Sequence, residues 1–162
     1  MVLGMGYGVL IMKTSILNRL LLTFMSSLIL FSSAQPTHHD LVVIVNAHSP
    51  LSHLSRDEIA QIYTARISLL ADGTRPVALD LQNNPDVRYQ FYADLLHTSP
   101  ERFDAFWARL LFTGLATPPK RLNQEATVME QVLQNDHAIG FVTDDFAHSD
   151  RLHILMRWPI TH

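Results

Sequence analysis

The chain has 162 residues, 48% of them hydrophobic and 17% charged, which places it among folded rather than disordered chains and at the length of one domain. Its 12 basic residues fall short of its 15 acidic ones, for a formal net charge of −3, so no basic face stands ready for a nucleic-acid backbone. Cysteine is absent, which excludes disulfides, a thiol nucleophile and a lipid anchor on cysteine.

Part of the apolar excess sits at the front. Met12-Lys13 and Arg19 precede the run LLLTFMSSLILF, residues 20–31, and SSA follows at 32–34. A positive end, a short apolar run and small residues make a secretory signal peptide, with cleavage expected after Ala34. The run is short of the roughly 20 residues that a membrane span needs. Residues 1–11 do not fit the positive leading region, so Met12 is read as the start, and residues 1–34 are set apart from the domain at 35–162. Lys13 and Arg19 are the only basic residues before Ala34, so the remainder is more acidic than the whole. It draws no small anion by its general field, and an anion site has to be local.

LVVIVN, 41–46, is a β-branched run that reads as a buried strand, parallel to its neighbours. A turn-rich connection leads to SRDEIAQIYTAR. There Ser55 and Glu58 form the S-x-x-E capping pattern, and Ile59, Ile62 and Tyr63 make a helical apolar face. Asp72-Gly73 marks a turn before the strand VALDL, 77–81. Asn84-Pro85 is an N-cap followed by proline at the first helical position, with Val87, Phe91, Tyr92, Leu95 and Leu96 on the inward stripe. Ser99-Pro100 repeats that signal ahead of Phe103, Phe106, Trp107, Leu110 and Leu111, and Gly114 is the stop. LATPPKRL reads as a loop. NQEATVMEQVLQND is a third such helix with Val128, Val132 and Leu133 inward. AIGFV, 138–142, and LHILM, 152–156, are two more strands, joined by a loop or single turn, TDDFAHSD.

Strands alternating with helices give an α/β domain with a mostly parallel central sheet flanked by helices. Ligands of such sheets sit at the carboxyl ends of strands. That singles out the loop after Asn46, the loop 82–86 and the loop after Val142.

Signals for catalysis are missing. The chain has no G-x-S-x-G elbow and no glycine-rich phosphate loop, and Asp144-Asp145 reads as a solvated pair. The chain is expected not to be an enzyme and to need no cofactor. His38, His39, His48 and His53 cluster near the start of the domain, and His38-His39-Asp40 is a chelating set in composition. The spacing matches neither H-E-x-x-H nor a helical i,i+4 pair, and the expectation is no metal site.

The 82–88 stretch has the layout of an anion site at a helix start, where free N–H groups and a partial positive charge meet. Asn83 and Asn84 offer amides and Arg88 a guanidinium fork. Pro85, which lacks an N–H, and the negative Asp86 count against it. Arg109, near Trp107, is a second cationic candidate, and Asn46 a third site residue, at a strand end. Trp107, Phe106 and Phe112 lie at helical spacing and are read as core rather than as a stacking surface.

The segment VVIVNAHSPLSHLSRDEIAQIYTAR resembles part of the second lobe of phosphate-type periplasmic substrate-binding proteins. The likeness rests on Val42 to Asn46, Pro50, Leu54-Ser55, Ile59, Ile62-Tyr63 and Asp72-Gly73. FWARLLFTG, 106–114, and AIGFV extend it, so that it spans residues 41–156. The resemblance implies one lobe of a type II periplasmic-binding-protein fold, export to the periplasm, and a link to an ABC importer. Members of that family have two lobes and hold phosphate with an arginine followed by a Gly-Ser-Gly-Thr loop. Here the corresponding place reads DLQNNPDVR, with Asp80 in place of the arginine and no Ser-Gly-Thr.

Two functions follow. One is a periplasmic solute-binding protein that holds phosphate or another small oxyanion weakly through Asn46, Asn83, Asn84, Arg88 and Arg109, and serves an ABC importer or membrane sensor. The other is a single-lobe interaction module with no small ligand, forming a homodimer or docking on a partner through the exposed lobe face.

Overall fold

The computed structural model describes residues 39–160, apart from residues 71 and 115. The expected signal peptide and His38 lie outside the described residues. Five strands and four helices follow one another in the order β1 (Asp40–Asn46), α1 (Arg56–Tyr63), β2 (Val77–Leu81), α2 (Pro85–Leu96), α3 (Pro100–Leu111), β3 (Lys120–Leu122), α4 (Glu125–Gln134), β4 (Ala138–Thr143) and β5 (Leu152–Pro159). A 3-10 turn, Asp144–Phe146, follows β4. Among the described residues no helix is long and apolar enough to cross a membrane.

Local chemistry sets the helix starts. The Ser55 hydroxyl accepts from the Glu58 N–H and the Glu58 carboxylate accepts from the Ser55 N–H, which closes the capping box of α1. The carboxylate also accepts from the Ser55 hydroxyl at 2.7 Å, and this bond together with that from the Ser55 N–H at 2.8 Å holds the Glu58 pKa below its ordinary value. Asn84 and Ser99 cap α2 and α3, each with proline just inside. After α3, Gly114 takes a φ of +68°, a backbone setting that suits glycine and ends the helical run.

The strand order is β3-β2-β4-β1-β5. β2 runs parallel to β3 and to β4, whereas β1 runs antiparallel to both β4 and β5. β2, β3, β4 and β5 therefore point the same way, and β1 alone is reversed. The α/β class holds, and the reading of β1 as a parallel strand is corrected. Its unbroken apolar run reflects burial on both faces, which a central antiparallel strand between two helical layers requires just as a parallel one does. β3, expected to lie in a loop, adds a short edge strand. It has three residues, two of them exposed, and so carries no apolar signal.

Strand alternation divides the side chains between two layers. Val42, Ile44, Asn46, Leu79 and Gly140 face α4. Leu41, Val43, Asp80 and Phe141 face α1, α2 and α3. On that second side the rings of Phe91 and Phe141 stack at 3.9 Å, and Tyr92 stacks on Phe103 at 4.2 Å. The buried Trp107 donates its indole N–H to the Tyr63 carbonyl at 3.2 Å, and the Tyr63 hydroxyl donates to the Leu79 carbonyl at 2.8 Å. Trp107 and Phe103 are thus core, as expected, but the stripe stops short: Phe106 is 37% exposed, Leu111 52% and Phe112 93%. On the first side, Gly140 allows α4 to sit close. A Cβ there would lie 2.5 Å from a Val128 methyl.

In β5 the register against β1 slips between Val43 and Ile44: Met156 faces Val43 and Ile154 faces Ile44. Leu155 is the extra residue of a bulge. The slip sends Trp158 to the α1 side, where the Arg56 guanidinium lies 5.6 Å from its ring centroid, and sends Arg157 to the other side.

Candidate functional site

In VALDL the residues Val77, Leu79 and Leu81 face α4, so the same alternation turns Asp80 into the opposite layer, where it is 1% exposed. A carboxylate so placed needs a partner. α2 begins soon after, and its inward stripe carries Arg88. The Arg88 Nε donates to Asp80 Oδ1 at 3.0 Å and Nη2 to Asp80 Oδ2 at 2.9 Å, a two-pronged pair. The same Nη2 reaches Asp104 of α3 at 2.8 Å, and Arg121 of β3 reaches Asp104 at 2.7 Å. Gln82 donates to Asp80 at 2.6 Å. Burial by itself would lower the Arg88 pKa, but the hydrogen bonds that the guanidinium donates to Asp80 and Asp104 outweigh it and the net shift is upward. Burial, with Asp80 adding to it, pushes the Tyr63 and Tyr92 hydroxyls well above their ordinary range. Arg88 is thus a strut between β2, α2 and α3, with its fork turned away from solvent.

A second constellation lies at the carboxyl ends of β2, β3 and β4. Asn84 caps α2, its Oδ1 accepting from the Val87 N–H at 3.4 Å, and its Nδ2 donates to Glu125 Oε1 at 2.7 Å. Glu125 opens α4, whose N-cap residue Gln124 makes no side-chain cap. The other Glu125 oxygen accepts from the Thr143 N–H at 2.6 Å and the Thr143 hydroxyl at 2.8 Å. A hollow of about 380 Å³ opens beside it, lined among others by Asn83, Asn84, Asn123, Gln124, Glu125 and Phe146. Asn83, Asn123 and Gln124 are exposed carboxamides. The lining includes no Arg, Lys or His.

The residues singled out from the sequence fall in three places. Asn83 and Asn84 line this hollow, Asn83 open to solvent and Asn84 already bonded on both its polar atoms. Arg88 lies behind them in the interior and does not line it. Asn46 is at the opposite end of the sheet, because β1 is the reversed strand. There it donates to the carbonyls of Val132 at 3.4 Å and Leu133 at 3.3 Å and accepts from the His48 N–H at 3.0 Å, which fastens the end of α4 to β1. Arg109 is exposed and donates to the Ala105 carbonyl of its own helix. The structure brings Asn83 and Asn84 together and leaves the other three apart from them.

Glu125 is the residue that sequence reasoning missed. Its only local mark is a carboxylate at the first helical position. Its partner Thr143 ends β4 and is brought to it by tertiary packing. At the same end of the sheet, His39 Nδ1 lies 2.9 Å from Asp145 Oδ2, and these two with Asp144 offer three ligand atoms within 4.8 Å of one another. Asp144 is already engaged, with Arg157 at 3.0 Å and the Asp40 N–H at 3.2 Å. A divalent ion would have to compete with Arg157 for it. His48 and His53 take no part in the cluster.

The five-strand mixed sheet between helical layers matches the fold of a single lobe of periplasmic-binding-like structures. Solved structures similar to it include an ABC-type phosphate transport receptor from Vibrio cholerae, at a TM-score of 0.54 and 17% identity, covering 76% of this chain and 50% of that one. A putative phosphate ABC transporter substrate-binding protein with bound phosphate from Clostridium perfringens matches at 0.53 and 15%, over 73% and 45% of the two chains. PstS from Borrelia burgdorferi matches at 0.52 and 15%, over 73% and 47%. The likeness is one of fold, and the chain spans about half the length of these structures. No family model matches the chain, and no curated relative matches it.

Proposed function

We propose that this chain is an exported solute-recognition lobe, residues 35–162, that presents a small polar solute to a membrane partner such as an ABC importer or sensor. The observation that carries it is the hollow at the carboxyl ends of β2 and β3, set between the starts of α2 and α4 where open α/β sheets take their ligands. Binding is passive: carboxamides and the N–H groups of two helix starts hold the solute. Phosphate or another oxyanion is bound weakly, because two carboxylates of the chain already hold the donors it needs. Asp80 holds Arg88, and Glu125 holds Thr143 and Asn84. A free anion has to displace Glu125 and then sit beside its charge.

The test is thermal unfolding of the protein with millimolar phosphate, sulfate and neutral polar solutes, for the native chain and Glu125→Gln. Ligand linkage raises the melting temperature for a solute well above its dissociation constant. The expectation is a small shift with phosphate that grows in Glu125→Gln, where the competing charge is gone. Absence of any shift, in both proteins and with every solute, would remove solute binding at this hollow.

A second reading, an interaction module without a small ligand, is favoured by the exposed Leu111 and Phe112 at the end of α3. Two adjacent large apolar side chains in solvent are a contact in waiting. Self-association in sedimentation experiments, abolished in Phe112→Ser, supports that reading.

A further inference from the structure

A hollow of about 480 Å³ lies on the helical side of the sheet, between α1, the end of α2 and the start of α3. Its volume is in the range of small-molecule sites. Leu95, Leu96, Phe103 and Phe106 give it an apolar floor, and Arg66 and Arg102 stand with Asp57 among its polar lining. Leu95 and Phe103 are 4% exposed and fixed in the core, so the floor is preformed, while Phe106, 37% exposed, is the part that a ligand would cover. Both guanidiniums are exposed, and neither has a side-chain hydrogen bond or ion pair among the described residues. Of the other described arginines, Arg56, Arg88, Arg109, Arg121, Arg151 and Arg157 have one, and Arg75, which lies outside this hollow, does not.

Two unpaired cations against one carboxylate, over apolar side chains, select for a particular chemistry. An apolar chain laid on Leu96, Phe103 and Phe106 is driven in by removal of its surface from water. A single negative head group at its end meets Arg66 and Arg102, where a guanidinium fork suits a carboxylate or sulfonate. We propose that the hollow between α1, α2 and α3 binds a free acidic amphiphile, one acyl or aromatic chain bearing one anionic head. This site is separate from the hollow at the carboxyl ends of the strands and does not depend on the solute-recognition reading.

The test is calorimetric titration of the protein with dodecanoate below its micelle concentration, with dodecanol and dodecyltrimethylammonium as the neutral and cationic counterparts. Dodecanoate binds one to one and the other two bind at least tenfold more weakly. Arg66→Gln/Arg102→Gln weakens dodecanoate about fivefold to tenfold and leaves dodecanol unchanged, and Phe106→Ser weakens both. These side chains are exposed, so the variants keep the fold, which the far-UV spectrum and melting temperature check. Equal binding of dodecanol and dodecanoate, or indifference to the arginine changes, overturns the assignment of the anionic head. Absence of dodecanoate binding overturns the site, and so does sedimentation with anionic phospholipid vesicles without any response to the free acid.

Discussion

Removing Asp80 separates two roles for Arg88 that the sequence alone leaves joined. The Asp80 and Arg88 side chains are 2% and 10% exposed, and two charge-assisted hydrogen bonds join them. Breaking a buried pair from one side leaves the other charge in a poor solvent, at a cost of about 3–5 kcal/mol. In Asp80→Ala the guanidinium keeps its bond to Asp104, so the low end applies, about 3 kcal/mol. In Arg88→Ala the Asp80 carboxylate keeps only the Gln82 amide among these partners, and the loss is about 4 kcal/mol. Replacing both by apolar residues of similar size, Asp80→Leu with Arg88→Met, leaves no orphaned charge between them and stays within about 1–2 kcal/mol of the native protein. Urea unfolding of the four proteins, with the slope unchanged across the set, gives the three losses directly. If both single variants lose less than about 1 kcal/mol, the pair does not hold β2, α2 and α3 together and Arg88 is free to act elsewhere. If the double variant loses as much as the two singles summed, the orphaned-charge argument fails.

Gly140→Ala places a methyl against Val128 and pushes α4 from the sheet. It should destabilise by about 1–3 kcal/mol, as overpacking does, and Val128→Ala in the same chain should recover part of the loss, both read by urea unfolding. The raised pKa values of Tyr63 and Tyr92 fix a sign at high pH. Their neutral forms contribute stability that is fully present below the unfolded value near 10 and drains away as pH rises towards the folded values. Absorbance at 295 nm should therefore show both phenols ionising only together with loss of the near-UV circular dichroism. Earlier ionisation of both in the folded protein would contradict their burial. Ser55→Ala opens the capping box and should cost about 1 kcal/mol, and the Glu58 pKa measured by NMR should rise from its lowered position towards 4.5.

Much of the fold was legible because its signals are local. Ser55 with Glu58, Asn84-Pro85 and Ser99-Pro100 each settle a helix start within four residues, and the runs LVVIVN, VALDL and AIGFV announce strands by composition. Strand direction is not local. Nothing within Asp40–Asn46 says that its neighbours are β4 and β5, and so the sequence places Asn46 with Asn83 and Asn84 although it lies across the sheet. The candidate site was legible only at Asn83 and Asn84. Asp80 carried a usable sign, a carboxylate on the alternating register of an otherwise apolar strand, which calls for a buried cation one element away. Arg88 is that cation, so the residue that resembled a ligand fork serves the interior. Glu125 gave no comparable sign, because its meaning depends on Thr143 and Asn84 arriving beside it.

The reversed strand also sets the order in which the domain can be completed. β1 is the first of the described strands, yet both its neighbours, β4 and β5, are the last of them, with Leu41 paired to Thr143 on one side and Trp158 on the other. A nascent chain that ends before Ala138 has a fully apolar segment, Leu41 to Val45, with no strand to cover it. Such closure over long sequence distances is slow compared with helix formation. The sheet thus stays open until β4 and β5 are available, and a segment of high β-propensity stays unpaired for all of that time. A stop codon between α4 and β4 therefore yields an aggregating fragment rather than a smaller folded lobe.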